Sequence, residues 1–263
     1  MRRAKEPYYK ELPYRSRVDG TPSWQYEIMW EQPNWKGCVA CGANRIGKSR
    51  MGGFTTALMV TGEHPTYKSP KNGRAWIVGP DSKMIEAVEK PYFEMFMPQR
   101  YMENGKWNGK HEYWRFNIEG REWEVWFKSV DSGRKKFQGD AVDFAWVDEE
   151  PQKDGIFSEL EMRLVDKQGI WLMTATPILG TKWLKDTLER DDVFYTMAGM
   201  RGNPYIRLDE IEKVARQLAP DERDVRIEGK YIIFGGRPVF DRDMLGKIED
   251  KASPYREGLL AVA

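Results

Sequence analysis

The octapeptide GANRIGKS, Gly42 to Ser49, has the residue types and spacing of a loop that holds phosphate. Glycine at both ends of the pattern lets backbone amides turn toward an anion. Gly42, Ala43, Asn44, Arg45, Ile46 and Gly47 form the cradle. Lys48 adds a full positive charge for the β- and γ-phosphates, and Ser49 a hydroxyl for magnesium. The apolar run GCVACG before the loop reads as a strand, and SRMGGFTTALMV after it as a helix. A strand, a glycine loop and a helix N-terminus in that order aim free N–H groups and the helix dipole at the phosphates. An arginine, Arg45, inside the loop is unexpected where backbone amides and one lysine suffice.

A second stretch, VDFAWVDEE, turns binding into chemistry. It reads as a buried strand that delivers Asp148 and Glu149 at its C-terminal end, where open α/β sheets bind their ligands. An aspartate there can hold magnesium through water, and a glutamate directly after it can orient and deprotonate an attacking water. Asp148 and Glu149 side by side argue for ATP hydrolysis coupled to mechanical work. Glu150 lies past the strand end and reads as a solvated neighbour. One helix further on, WLMTATP ends a strand in Thr174, Ala175, Thr176 and Pro177. Small hydroxyl residues at this place sense the γ-phosphate in helicase-like ATPases, although a strand stopped by proline fits the same letters.

The elements that must position these residues emerge from hydrophobic patterning. Short apolar runs (GCVACG, RAWIVGP, EWEVWFKSV, AVDFAWVDE, GIWLMTATP and VFYTMAG) alternate with longer helical patterns between Lys36 and about Gly199. That alternation predicts an α/β fold with a mostly parallel central sheet and helices on both faces. With the two nucleotide motifs it becomes a P-loop NTPase of the additional-strand, catalytic-glutamate type. The expected organisation is an N-terminal segment over 1–35, an ATPase core over 36–200 and a lid and linker over 201–263. SWQYEIMWEQ and LDEIEKVARQL read as helices, and GKYIIFGGRPVF as a strand or hairpin.

Composition narrows the class. The chain has 263 residues, 42 Lys and Arg against 41 Asp and Glu, and a formal net charge of +1. Contact with nucleic acid must therefore come from local patches. Two cysteines, Cys38 and Cys41, make no disulfide framework and point to a reducing, intracellular compartment. Their C-x-x-C spacing lies within a strand, so they read as core residues, not zinc ligands. The basic start lacks a signal-peptide core, and no stretch approaches the ~18 apolar residues of a membrane span. His64 and His111 are isolated, and Trp24, Trp30 and Trp35 read as packing residues. ENGKWNGKHEYWRF reads as a surface hairpin, with a DNA-facing role as the second reading.

The ordered set of motifs resembles the ATPase domain of the large terminase subunit, the DNA-packaging motor of tailed bacteriophages. GANRIGKS is similar to that family's loop, where an arginine before Gly-Lys-Ser is usual. FAWVDEE is similar to its acidic strand, TATP to its coupling motif, and the segment from RGNPYI onward to its connection toward a second domain. The likeness runs from about residue 20 to 245. It implies that Gln25, in SWQYEIMW, reads the adenine and that Arg45 contacts the γ-phosphate or couples it to a subunit interface. It further implies ATP and Mg2+ as cofactors and double-stranded DNA as partner. A ring on the phage portal in the host cytoplasm is implied as well, with a small terminase subunit and a nuclease domain as further partners.

The same family places an arginine donated to the neighbouring subunit before the acidic strand. In SVDSGRKKFQGD this makes Arg134 the candidate, beside Lys135 and Lys136. A solvated or DNA-touching basic loop fits those residues equally. The family's nuclease acids find no counterpart beyond Asp241 and Asp243, so no nuclease activity is expected from this polypeptide. Two other readings stay open: a helicase-like remodelling ATPase, and an ATP-binding assembly module with little hydrolysis.

Overall fold

The computed structural model describes Arg15 and residues 20–152, 155–178 and 181–230. All six expected strands form. They are β1 (Gly37–Gly42), β2 (Asn72–Gly79), β5 (Arg121–Ser129), β6 (Phe144–Asp148), β7 (Ile170–Ala175) and β8 (Val193–Ala198). The hairpin region supplies two more, β3 (Lys106–Asn108) and β4 (Tyr113–Ile118). The sheet order is β3-β4-β5-β2-β6-β7-β1-β8. The six strands from β5 to β8 are parallel, and only β3 and β4 join antiparallel at one edge. One strand, β7, is thus inserted between the loop strand β1 and the acidic strand β6, which is the additional-strand arrangement.

Helices cover both faces. On one side lie α1 (Trp24–Glu31), α2 (Lys48–Thr61) and, after the short α3 (Ser82–Met84), α4 (Lys90–Phe96). The small α5 (Gln99–Asn104) leads into β3. On the other side lie α6 (Ile156–Val165) and α7 (Lys182–Leu188), and α8 (Leu208–Gln217) and α9 (Pro220–Arg226) close the described chain. Side chains alternate along each strand, so the sheet feeds two apolar layers. Cys38, Ala40, Ile77, Trp146 and Leu172 face α1, α2 and α4, while Val39, Cys41, Trp76, Val147 and Met173 face α6 and α7. Burying side chains of this size stabilises by roughly 1.5–3 kcal/mol each. Both cysteines are deep in strand β1, in agreement with a packing role.

The glycine pair in α2 has a packing reason. A Cβ on Gly52 would lie 2.0 Å from the Trp146 ring, so only glycine lets the helix behind the phosphate loop seat directly on β6. That contact places the loop over the acidic strand. Trp24 is buried, but Trp30 is on the surface, against the expectation for the tryptophans as a group. The strand or hairpin expected in GKYIIFGGRPVF falls, beyond Lys230, outside the described residues, as do Asp241 and Asp243. No helix among the described residues is long and apolar enough to cross a membrane.

Candidate functional site

The phosphate loop leaves β1 and enters α2 through two residues in the left-handed region, Arg45 (φ 60°) and Gly47 (φ 87°). Gly47 is required there: a Cβ would lie 3.2 Å from Gln25 Nε2, and the backbone itself disfavours one. The loop is gripped from the far end of the chain. Ala43 N–H donates to Ala198 O at 2.9 Å, and Asn44 N–H to Arg226 O at 3.0 Å. Buried Asn203 donates from Nδ2 to the Arg45 carbonyl at 2.7 Å. Asn203 belongs to RGNPY, a segment whose letters suggested a connection and no direct role.

Lys48 is buried and donates to three oxygens: Gly42 O at 3.1 Å, Ala43 O at 2.7 Å and Thr176 Oγ1 at 2.8 Å. Burial lowers its pKa, and the carboxylates of Glu149 and Asp148 oppose that shift. Thr176 Oγ1 meets Asn44 Oδ1 at 3.1 Å, and Thr176 N–H donates to Glu149 Oε2 at 3.0 Å. Glu149 itself has φ 62°. This left-handed turn costs about 1–2 kcal/mol for a residue with a side chain. It swings the carboxylate off the strand axis toward the loop, while the Glu149 N–H donates to Thr174 O at 2.7 Å.

Asp148 is buried at the end of β6, opposite Thr174 in the β6–β7 register. Thr174 Oγ1 donates to Asp148 Oδ1 at 2.6 Å and accepts from Trp146 Nε1 at 2.7 Å. Burial raises the Asp148 pKa, and hydrogen bonds from Thr174 and Ser49 oppose the rise. The two threonines of TATP therefore hold different things. Thr174 orients Asp148, and Thr176 joins Glu149 to Lys48; Ala175 between them is buried and pairs with Cys41.

A fourth carboxylate was not foreseen. Glu89 has no exposed surface and faces Asp148 at hydrogen-bonding range. Burial, then the Asp148 charge, pushes its carboxyl up to about 8. No motif in SKMIEAVEKPYF marks it. Glu150 also departs from expectation. It is buried, not solvated, and accepts a hydrogen bond from Thr181 Oγ1, while burial and the Glu149 charge push its carboxyl up to about 7.

A cavity of about 460 Å3 runs over the loop. Its lining includes buried Gln25, the exposed Arg45, Lys48, Ser49, Glu149, Thr176 and Tyr205. Nearly every site residue expected from the sequence thus converges on one place. Arg134 stands apart, in a short 3-10 turn between β5 and β6 (Arg134–Phe137), with its Nε 3.0 Å from Glu159 Oε2 of α6. Its side chain is 61% exposed. A larger concavity of about 520 Å3 opens at the N-terminal ends of β2 and β5. Arg74 and Arg115 there are paired with Glu124, at the end of the sheet away from the motifs.

A phosphate loop, an acidic strand ending in Asp-Glu and an inserted strand between them define a P-loop ATPase fold of the additional-strand class. A family model for the terminase large subunit, T4likevirus-type, N-terminal region matches residues 39–191, more than half of the chain. The chain belongs to that family. No curated protein matches its sequence.

Solved structures share the fold. The large terminase of the thermophilic bacteriophage D6E superposes with a TM-score of 0.65 at 14% identity, over 83% of this chain and 56% of that one. The D6E protein has also been solved with ADP and with ATP-gamma-S. The large terminase ATPase domain of Thermus phage P74-26 gives 0.64 at 16% identity, over 80% of this chain and 93% of that one. For the HK97 bacteriophage large terminase the values are 0.59 and 12%, over 89% and 56%. The chain thus spans little more than half the length of the whole large terminases it resembles.

Proposed function

We propose that this chain hydrolyses ATP to move double-stranded viral DNA into a procapsid, working as a ring of subunits on the portal in the host cytoplasm. The observation that carries the reading is the bonding of Thr176 to both Lys48 and Glu149. It ties the phosphate-binding charge and the water-activating carboxylate to one strand end, as a motor needs.

The donor set fits magnesium. Ser49 and Asp148 offer only hard oxygen ligands, and Lys48 is the cation set against the buried charge of Asp148. When bound, magnesium neutralises phosphate charge. The chain's own residues do the rest. Backbone amides of the loop and Lys48 hold the β- and γ-phosphates, Gln25 contacts the adenine, and Glu149 takes the proton of the attacking water. Arg45 lies at the mouth of the cavity and contacts the γ-phosphate side. Arg134 is exposed enough to reach a neighbouring subunit, and residues 201–230, which grip the loop through Asn203 and Arg226, act as the lid. Contacts to DNA fall on phosphates and carry little sequence information. A small terminase subunit and a nuclease domain complete the machine.

The deciding measurement is ATP turnover across a wide protein-concentration range with double-stranded DNA present. Turnover per subunit should climb as the ring assembles, and Lys48→Ala should abolish nucleotide binding by calorimetry. Unaltered binding in Lys48→Ala would sink the loop assignment. A concentration-independent rate would favour a remodelling ATPase, and negligible turnover an assembly module.

A further inference from the structure

Glu89 occupies an unusual piece of backbone. Asp81 caps α3 by accepting from Met84 N–H, and the chain then widens into a π turn over Ile85–Glu89 before α4 begins at Lys90. The Lys90 N–H donates five residues back, to Ile85 O. Pro91, near the start of α4, has no N–H to continue the normal ladder, which gives the wide turn a local cause. The extra residue rotates the remainder of the helix, and π turns of this kind collect at functional sites. Here it separates two glutamates. Glu86 stays at the surface, paired with Lys90, while Glu89 turns wholly inward under the end of β2. A Cβ on Gly79 would lie 3.1 Å from its carboxylate.

Neither Glu89 oxygen has a donor from a neighbouring residue, and the group facing it is another acid, Asp148. Two ionised carboxylates side by side in that position cost stability unless a cation compensates them. A cation bound at Asp148 would supply that compensation. Among the described residues no three acids, histidines or cysteines are grouped to chelate a metal by themselves. A divalent cation here would take most of its ligands from phosphate and water, as magnesium commonly does.

We propose that Glu89 is a positioning residue for the divalent cation: it stands behind Asp148 as a second acidic anchor and acts through Asp148 and cation-bound water. The inference rests on the magnesium–nucleotide reading above. Outer partners of this kind typically change metal affinity by about 10–100-fold when removed.

The test is ADP binding to the full chain by calorimetry, with magnesium and with EDTA, for the wild type, Glu89→Gln and Glu89→Asp. Thermal unfolding without metal checks that each variant is folded. In EDTA all three should bind ADP alike. The tightening that magnesium confers on the wild type should fall about tenfold or more in Glu89→Gln, and Glu89→Asp, which keeps a carboxyl group, should recover part of it. A folded Glu89→Gln with undiminished magnesium tightening overturns the inference and leaves the nucleotide site standing. Loss of ADP binding by Glu89→Gln in EDTA also overturns it, since the residue would then serve the nucleotide or the fold. A wild type that binds no ADP under either condition fails the parent reading instead.

Discussion

The ammonium of Lys48 donates to the hydroxyl of Thr176 at 2.8 Å, across the boundary between the phosphate loop and the strand end of β7. The backbone N–H of the same threonine holds Glu149 at 3.0 Å. Any movement of Lys48 is therefore felt at the residue that holds the Glu149 carboxylate.

Replacing Thr176 by valine keeps the branched shape and removes the acceptor. ATP affinity should stay within about threefold, because the loop amides and the lysine charge remain. Turnover should drop by about tenfold or more, or ~1.4 kcal/mol in barrier. Paired titrations and steady-state rates on Thr176→Val check this. Equal turnover would remove Thr176 from the coupling path.

Glu149 and Glu150 are adjacent acids with different surroundings. Glu149→Gln keeps size and polarity but cannot accept a proton, so hydrolysis should fall by about 10²–10⁴ while ATP still binds. Glu150 is engaged with Thr181, and Glu150→Gln retains an oxygen for that bond, so its rate should lie close to wild type. Should the second variant prove the more damaged, the acidic strand has been read one residue out of register.

Arg134 is tested by mixing. The Arg134 guanidinium is the exposed end of its ion pair, and buried Glu159 keeps Arg163 at 3.1 Å, so Arg134→Ala should cost only about 1 kcal/mol in stability. Binding of ATP by the single subunit should be unaffected. Turnover in the assembled state should fall sharply, because charge developing on the γ-phosphate loses its partner. Combining Arg134→Ala with Glu149→Gln, each nearly inactive alone, should restore activity at interfaces with one intact composite site. No recovery under conditions where the wild type assembles moves the role elsewhere, with Arg45 next.

His64 gives the fold a pH dependence separate from the site. It is buried, its Nδ1 accepts from Tyr67 N–H at 3.0 Å, and burial lowers its pKa to about 4. The unfolded chain, with an ordinary histidine near 6.5, binds more protons between those values. Stability contributed above pH 6.5 is therefore lost as pH falls toward 4, by up to about 1.4 kcal/mol per unit. His64→Asn offers an oxygen acceptor that does not titrate. Urea unfolding from about pH 7 to about 4.5 should show a shallower decline for the variant, and parallel declines would place the effect on other groups.

The local parts are legible in the chain's own letters: the loop from Gly42 to Ser49, the strands ending in Asp148-Glu149 and in Thr174-Ala175-Thr176, and the α/β alternation. They can be read because each rests on short-range causes, glycine at φ-permissive positions, continuous apolar runs in doubly buried strands, and helix periodicity. The rest depends on the packed fold. Parallel strands pair across long stretches of chain, and no local pattern places β7 between β1 and β6. That placement makes Thr174 the partner of Asp148 and Thr176 the link from Lys48 to Glu149. Glu150 reads as solvated because it lies past the strand end, and nothing in the sequence marks Glu89, yet a packed strand end and a π turn bury them. Asn203 gains its hold on Arg45 only when the end of the sheet brings two distant segments together. Burial and partnership of charged groups depend on what the rest of the chain packs around them, and that is set by the completed fold.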